Sequence, residues 1–184
     1  PAGHTYVGGW ADQARDHILV ADVLADAAPE VVSEINGTWN RVTVWDLEGA
    51  PLANAQFGAG SSIPARNMRD LDLVDLDGDG RSEIVAATSA GLVVALDGDC
   101  ARLWSTRVPS PPTVLEALPG GDGRAPTIVV GCQDGSVLAL DAAGAIIARG
   151  RLAGAPTRVV ELPIGAGPAA ALGTATGEVA VFRP

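Results

Sequence analysis

Short apolar segments and turn residues alternate along this chain, and the same arrangement returns several times. Four segments align without gaps and mark the repeat: residues 42–46 (VTVWD), 93–97 (VVALD), 137–141 (VLALD) and 179–182 (VAVF). Counted from Trp45, Leu96, Leu140 and Phe182, these segments lie 51, 44 and 42 residues apart. A period in this range indicates a repeat architecture in which each repeat is one small structural unit.

Each repeat divides into four short strands, which in the second repeat are predicted at 71–75, 83–88, 92–97 and 102–108. In three repeats a tight turn with Gly91, Gly135 or Gly177 precedes the third strand, and glycine supplies the positive φ that such hairpins need. Repeats of four strands and about 40–45 residues are typical of β-propeller blades. We therefore predict an all-β propeller of four-stranded antiparallel blades. A β-sandwich, whose strands also recur at short intervals, is the alternative.

The repeats place four blades at about 17–57, 70–108, 113–152 and 157–182, within one propeller unit that spans the 184 residues. The fourth repeat ends after its third strand, whereas residues 4–10 precede the first inner strand, where an outer strand would lie. We expect residues 4–10 to form an outer strand that completes another blade, because this removes an exposed sheet edge. Both a closed four-bladed ring and a segment of a larger propeller agree with this pattern.

An acid-rich loop, DLDGDGRSE at residues 75–83, joins the first two strands of the second repeat. Several carboxylates in one tight loop provide the hard oxygen ligands that Ca²⁺ prefers. An EF-hand is excluded, because loop position 12 is Ala86 and a strand follows instead of a helix. The predicted ligands are the carboxylates of four residues and one main-chain carbonyl: Asp75, Asp77, Asp79 and Glu83, with the carbonyl of Arg81. The alternative is an acidic hairpin with solvated side chains.

The first repeat carries a weaker version of this loop at residues 22–30. Asp22, Asp26 and Glu30 keep three of the acidic positions, but Leu24 and Ala27 replace an acid and the glycine. These three acids are a candidate degenerate metal site.

The pattern D-x-D-x-D-G-x-x-E at 75–83, running into Ile84 and Val85 and followed by a glycine turn and the strand VVALD, resembles the FG-GAP/VCBS repeat. The run from Leu96 to Trp104 is more loosely similar to PQQ-like propeller repeats. The first resemblance implies an integrin-α-like propeller whose loops between first and second strands bind Ca²⁺. The complete metal motif is present in the second repeat.

Composition narrows the classes of function. The formal net charge is −10, from 22 acidic and 12 basic residues, and the chain contains no lysine. Such a surface lacks the basic footprint that binding to nucleic acid or to an anionic membrane requires. No stretch reaches the ~18 consecutive apolar residues of a membrane helix. We expect neither a nucleic-acid partner nor membrane insertion.

A second candidate site lies in the loops of the first repeat, which is longer than the others. Trp39 and Asn40 belong to one of these loops, and Arg66 and Asn67 to another on the same predicted face. An exposed tryptophan beside polar side chains can stack on a sugar or contact a protein partner. The alternative is that Trp39 packs against a neighbouring blade.

The function that the sequence favours is a non-catalytic, extracellular, calcium-binding propeller that acts as a binding or scaffold module. Its expected ligand is a protein or a carbohydrate, and other domains of a longer chain or copies of itself are its expected assembly partners. The composition, rich in Ala and Arg, indicates a bacterial source. The alternatives are a propeller domain of a secreted enzyme, either quinoprotein-like or polysaccharide-active, and a structural subunit of an extracellular assembly.

Overall fold

A computed structural model describes residues 17–26, 28–35, 41–58, 67–121, 123–163 and 167–184. These residues form fifteen strands, and none of them forms a helix long and apolar enough to cross a membrane. The strands are β1 (Ile18–Ala21), β2 (Glu30–Ile35), β3 (Arg41–Trp45), β4 (Pro51–Gln56), β5 (Met68–Val74), β6 (Glu83–Thr88), β7 (Leu92–Leu96), β8 (Arg102–Arg107), β9 (Pro112–Leu118), β10 (Thr127–Cys132), β11 (Ser136–Leu140), β12 (Ile146–Arg151), β13 (Pro156–Glu161), β14 (Ala170–Thr174) and β15 (Val179–Phe182).

The strands form four antiparallel sheets, here called blades 1 to 4, and each is an up-and-down meander in chain order. Blades 1 to 3 have four strands each (β1–β4, β5–β8 and β9–β12), and blade 4 has three (β13–β15). The predicted all-β propeller of antiparallel blades is confirmed. The inner strand of blade 2 begins at Met68, three residues before the predicted position, because Met68 still pairs with Thr88 across a bulge. Residues 4–10, predicted as an outer strand, lie outside the described part of the chain.

The burial of each strand follows its place in the blade. The middle strands β6 and β10 are buried at every position, because neighbouring blades cover both of their faces. The outer strand β12 alternates between half-buried and exposed positions, as expected for a strand that packs on one face. Apolar runs therefore identify middle strands, and alternation identifies outer ones.

Three apolar cores lie between the four blades in the described residues. Representative buried residues are Val44 and Ile84 between blades 1 and 2, Val85 and Leu138 between blades 2 and 3, and Val129 and Leu172 between blades 3 and 4. Burial of these aliphatic side chains is the main force that joins consecutive blades. The loops between first and second strands lie at one end of the blades, and this end holds the acidic loop.

Polar contacts reinforce these junctions. Trp104 on β8 donates its indole N–H to the carbonyl of Ala142 in blade 3 at 2.9 Å, and Thr106 donates its hydroxyl to the carbonyl of Gly144 at 2.6 Å. Gly98 approaches the main chain of Val23 so closely that a Cβ there would overlap the Val23 carbonyl. The blades are thus held at close range, and small residues are required at some junctions.

Candidate metal centre

The acidic loop leaves β5 after Val74 and returns into β6 at Glu83. Two glycines make this return possible, since Gly78 and Gly80 have φ values of 83° and 91°, in the region that side-chain-bearing residues avoid. The carboxylate of Asp75 stabilises the turn. Its Oδ1 accepts the N–H of Gly78 at 2.6 Å, and its Oδ2 accepts the N–H of Gly80 at 2.9 Å. The local sequence therefore determines the fold of the loop.

Three carboxylates converge in this loop. One oxygen from each of Asp75, Asp77 and Glu83 lies within 4.8 Å of the other two. Glu83 is buried, and its Oε2 accepts the N–H of Leu76 at 2.6 Å, which fixes the direction of its side chain. Within the described ranges, no other group of three His, Cys, Asp or Glu side chains converges in this way. The arrangement offers a cation three carboxylate ligands from one short segment.

The electrostatics of the loop favour a bound cation. Burial raises the pKa of Glu83, and the negative charges of Asp77, Asp75 and Asp79 raise it further. Carboxylates that are close together disfavour one another's ionised form, and a bound cation removes this penalty. The donor set contains only hard oxygens, which is the chemistry that Ca²⁺ takes in proteins. The residues present therefore fit a calcium ion.

Asp79, the fourth predicted carboxylate, is not part of the convergent group. Its Oδ1 accepts the main-chain N–H of Arg81 at 2.9 Å, and its Oδ2 accepts hydrogen bonds from Nε, at 2.8 Å, and Nη2 of the Arg81 side chain. The Arg81 side chain holds the pKa of Asp79 below its ordinary value. The predicted ligand set included only the carbonyl of Arg81. The role of its guanidinium was not predicted, although an Arg two residues after an Asp was the available signal.

The corresponding acids of blade 1 are arranged differently, because Asp22, Asp26 and Glu30 are not brought within ligand distance of one another. Glu30 is buried, and its Oε2 accepts the N–H groups of Val23 at 2.9 Å and Leu24 at 3.1 Å. Glu83 makes the same contact with Leu76 in blade 2, so a glutamate at this loop position supports the hairpin in both blades. The carbonyl of Asp22 accepts the N–H of Ser82 at 2.8 Å, which joins the two loops.

The second predicted site falls mostly outside the described residues, since Trp39, Asn40 and Arg66 are not among them. Asn67 is described: it has a φ of 54°, and its carbonyl accepts the N–H of Ser89 at 2.9 Å. This contact connects the start of β5 to the turn between β6 and β7. A binding face built on these four residues stays a prediction.

The structure also contains a group of charged side chains that come from different repeats and were not predicted to lie together. Asp70, Asp72 and Glu116 lie beside a central cavity of about 290 Å³ between the inner strands. Asp70 and Asp72 accept the N–H groups of Leu115 and Ala117 at 2.6 and 2.7 Å. Glu116 accepts the N–H of Glu161 at 3.2 Å. Each carboxylate thus satisfies a main-chain donor of the following blade, 45 residues further along the chain.

His17 extends this network to blade 1. Its Nδ1 lies 3.0 Å from Oε1 of the fully buried Glu34, and its Nε2 lies 3.1 Å from Oδ1 of Asp70 in blade 2. Hydrogen bonds with Asp70 and then with Glu34 raise the pKa of His17 to about 10. The imidazole is therefore protonated at neutral pH and forms an ionic bridge between the first two blades. The sequence showed an isolated histidine, because its partners lie 17 and 53 residues away.

Comparisons of the sequence with known proteins identify no family. No family model matches the chain, and no curated protein matches it either. The resemblance to FG-GAP/VCBS repeats therefore stays a prediction.

Solved structures do match. BBS1N in a complex with ARL6DN, soaked with lead, is similar over 91% of this chain and 54% of that chain, with 15% identity and a TM-score of 0.65. The same complex soaked with mercury is similar over 92% of this chain and 61% of that chain, with 12% identity and a TM-score of 0.57. A protein of unknown function from Bacteroides caccae matches with 16% identity and a TM-score of 0.50, over 85% of this chain and 55% of that one. This chain thus spans just over half the length of these neighbours, and its architecture is that of a β-propeller.

Proposed function

We propose that this chain is a non-catalytic calcium-binding β-propeller of the FG-GAP/VCBS type that serves as an extracellular binding or scaffold module. The observation that carries the calcium proposal is the convergence of Asp75, Asp77 and Glu83 in a loop shaped by two glycines. Burial of Glu83 and the repulsion within this group both favour occupation by a cation.

The donor set supports Ca²⁺ in particular. Ca²⁺ takes six to eight oxygen ligands in flexible geometry, whereas Mg²⁺ demands a near-ideal octahedron and keeps several waters. Asp75, Asp77 and Glu83 supply the charged ligands, and the carbonyl of Arg81 and solvent are the expected remaining donors. The N–H of Ser82 donates a hydrogen bond to the carbonyl of Asp22, so a loop ordered by the cation in blade 2 would also stabilise the loop of blade 1.

A binding role is supported by the fold and by the hydrogen bonds of the three carboxylates beside the central cavity. BBS1N, which is similar in fold, was solved in a complex with ARL6DN, and we propose a protein partner for this chain as well. Asp70, Asp72 and Glu116 accept main-chain N–H groups, which gives them a structural task. The net charge of −10 favours a partner with a basic surface.

Calcium binding is tested by thermal unfolding of metal-stripped protein with and without added Ca²⁺. At a free Ca²⁺ concentration about 100 times the dissociation constant, binding should stabilise the fold by about 2.7 kcal/mol. Asp77→Ala should abolish this stabilisation. The matched control is Asp134→Ala, which removes an exposed turn aspartate from blade 3.

The calcium proposal fails if added Ca²⁺ leaves the midpoint of the wild-type protein unchanged. It also fails if Asp77→Ala responds to Ca²⁺ as the wild type does. Isothermal titration of the stripped protein distinguishes a single specific site from weak binding at many surface carboxylates, because only the former gives a stoichiometry near one.

A further inference from the structure

A groove made of two cavities crosses the end of the blades that holds the acidic loop. The first cavity, of about 410 Å³, lies between the acidic loop of blade 2 and the loop that joins β9 to β10 in blade 3. The second, of about 360 Å³, lies between that blade 3 loop and the loop that joins β13 to β14 in blade 4. Both volumes are in the range of pockets that hold small ligands.

Four residues of the blade 3 loop line both cavities and join them into one groove: Pro119, Gly120, Arg124 and Ala125. The loop is tightly closed, because Arg124 donates its main-chain N–H to the carbonyl of Gly121 at 3.0 Å. A Cβ on Gly120 would overlap the carbonyl of Arg124, so the loop requires a glycine there. This loop places the exposed side chain of Arg124 where the two cavities meet.

Arg124 offers its charge to a ligand. The ion pairs formed by the described residues have His17, Arg81 or Arg151 as the basic partner, and Arg124 takes part in none of them. A guanidinium has five N–H donors in a planar fork that matches the two oxygens of a carboxylate. Charge complementarity therefore favours a carboxylate as the group that Arg124 binds.

The first cavity places Arg124 opposite the candidate metal centre, since Asp75 and Asp77 line its other wall. Without a cation these two carboxylates would repel an acidic ligand. Ca²⁺ takes six to eight oxygen ligands, which is more than the three convergent carboxylates and the carbonyl of Arg81 supply with one oxygen each. A carboxylate in the first cavity can therefore complete the coordination of the ion and pair with Arg124.

The walls of the groove suit an extended peptide. A Cβ added at Gly78, Gly121 or Gly167 would meet no heavy atom within 4 Å, so the main chain at these residues faces open space. Glycine allows another backbone to approach closely and form hydrogen bonds. The described residues that line the groove include no aromatic side chain on which a sugar ring could stack. The walls therefore favour a peptide over a carbohydrate.

We propose that this groove binds an extended peptide segment of a protein partner, with one acidic side chain of the segment held in the first cavity by Arg124 and the calcium ion. The role of the ion rests on the calcium site proposed above, whereas the role of Arg124 does not. The adjoining residues of the segment lie along the second cavity, whose walls include Pro119, Pro163 and Pro168. A single acidic side chain is compatible with an otherwise basic partner, because only this side chain enters between Arg124 and the ion.

Binding of two pentapeptide libraries, measured by fluorescence anisotropy, tests this proposal. The central residue is Asp in one library and Asn in the other, and the remaining four positions are mixed in both. With Ca²⁺ present, the protein should bind the Asp library at least about ten-fold more tightly, because its carboxylate makes charge-assisted contacts. Equal binding of the two libraries, or binding of neither, overturns the proposal. Tighter binding of an oligogalacturonate than of the Asp library also overturns it, in favour of an acidic carbohydrate.

Substitutions test the groove itself. Arg124→Gln should lower the affinity for the Asp library at least about ten-fold and remove the preference for Asp over Asn. Ala125→Trp should block binding, since position 125 lines both cavities and the larger side chain would fill them. The matched control is Arg149→Gln, which removes an exposed arginine from β12 and should leave binding unchanged. The thermal midpoint verifies that each variant is folded, and wild-type binding by Arg124→Gln overturns the proposal.

Metal-stripped protein separates this proposal from that of the calcium site. Removal of Ca²⁺ should weaken binding of the Asp library at least about ten-fold. If the protein binds Ca²⁺ in isothermal titration but binds the Asp library equally well without it, the joint role of the ion and Arg124 is overturned. If Ca²⁺ binds and neither library does, the calcium site stands and the peptide groove fails. If Ca²⁺ does not bind, the calcium site fails, and weaker binding by Arg124→Gln still supports the groove.

Discussion

His17 is expected to stabilise the fold by bridging two carboxylates of different blades, and the effect should depend on pH. The imidazole lies between Glu34 of blade 1 and Asp70 of blade 2, at 3.0 and 3.1 Å. The replacement His17→Gln removes the positive charge and keeps a polar side chain of similar length. It therefore isolates the ionic part of the interaction.

The size of the effect follows from the pKa. A rise in the pKa of His17 from 6.5 to about 10 corresponds to about 5 kcal/mol, at 1.36 kcal/mol for each pKa unit. The ring and the Asp70 carboxylate are both partly exposed, and solvent screening reduces this to about 2–3 kcal/mol. Because the folded pKa lies above the unfolded one, the stabilisation is complete below pH 6.5 and is lost as the pH rises through about 10.

Urea unfolding, followed by tryptophan fluorescence at pH 6 and at pH 10, measures this contribution. At pH 6 the variant should be less stable than the wild type by about 2–3 kcal/mol, and at pH 10 most of the difference should be gone. Other groups that titrate in this range affect both proteins alike. The reasoning is refuted if the difference in the free energy of unfolding is the same at both pH values, or if it is absent at pH 6.

Three further predictions concern the junctions between blades and the acidic loop. Gly98→Ala should lower the free energy of unfolding in urea by about 2–3 kcal/mol, because the added Cβ would overlap the carbonyl of Val23. Trp104→Phe should lower it by about 1 kcal/mol, since it removes the indole hydrogen bond to blade 3. Arg81→Gln should raise the Ca²⁺ affinity in isothermal titration by up to about five-fold, because Asp79 is released towards the cation.

Matched variants control for these changes. Gly173→Ala adds a Cβ with no heavy atom within 4 Å, so the free energy of unfolding should change by less than ~0.5 kcal/mol. Equal losses at Gly98 and Gly173 would contradict the explanation by close approach. Arg107→Gln removes the same charge from another part of blade 2 and should leave Ca²⁺ binding unchanged. If Trp104→Phe has the same free energy of unfolding as the wild type, the indole hydrogen bond to Ala142 contributes nothing to stability.

Much of the geometry of the acidic loop was predictable, because the loop consists of nine consecutive residues. Asp75, Gly78 and Gly80 interact within six residues, so their spacing alone describes the turn. The partner of Asp79 was not predictable in the same way. A carboxylate beside an arginine can bind either the guanidinium or a metal ion, and the sequence does not show which of these two partners is preferred.

By itself, the sequence determined the repeat, the strands and the acidic loop, since apolar patterning and turn residues act between near neighbours in the chain. Only the tertiary structure decided which residues meet between blades. His17 contacts Asp70, which is 53 residues away in the chain. Asp72 accepts the N–H of Ala117, which is 45 residues away. The tertiary structure also decided burial, since Val179 and Ile18 are exposed although their counterparts in other blades, Val137 and Leu71, are buried. The physical reason is that burial depends on how many blades pack together, which a local pattern does not record.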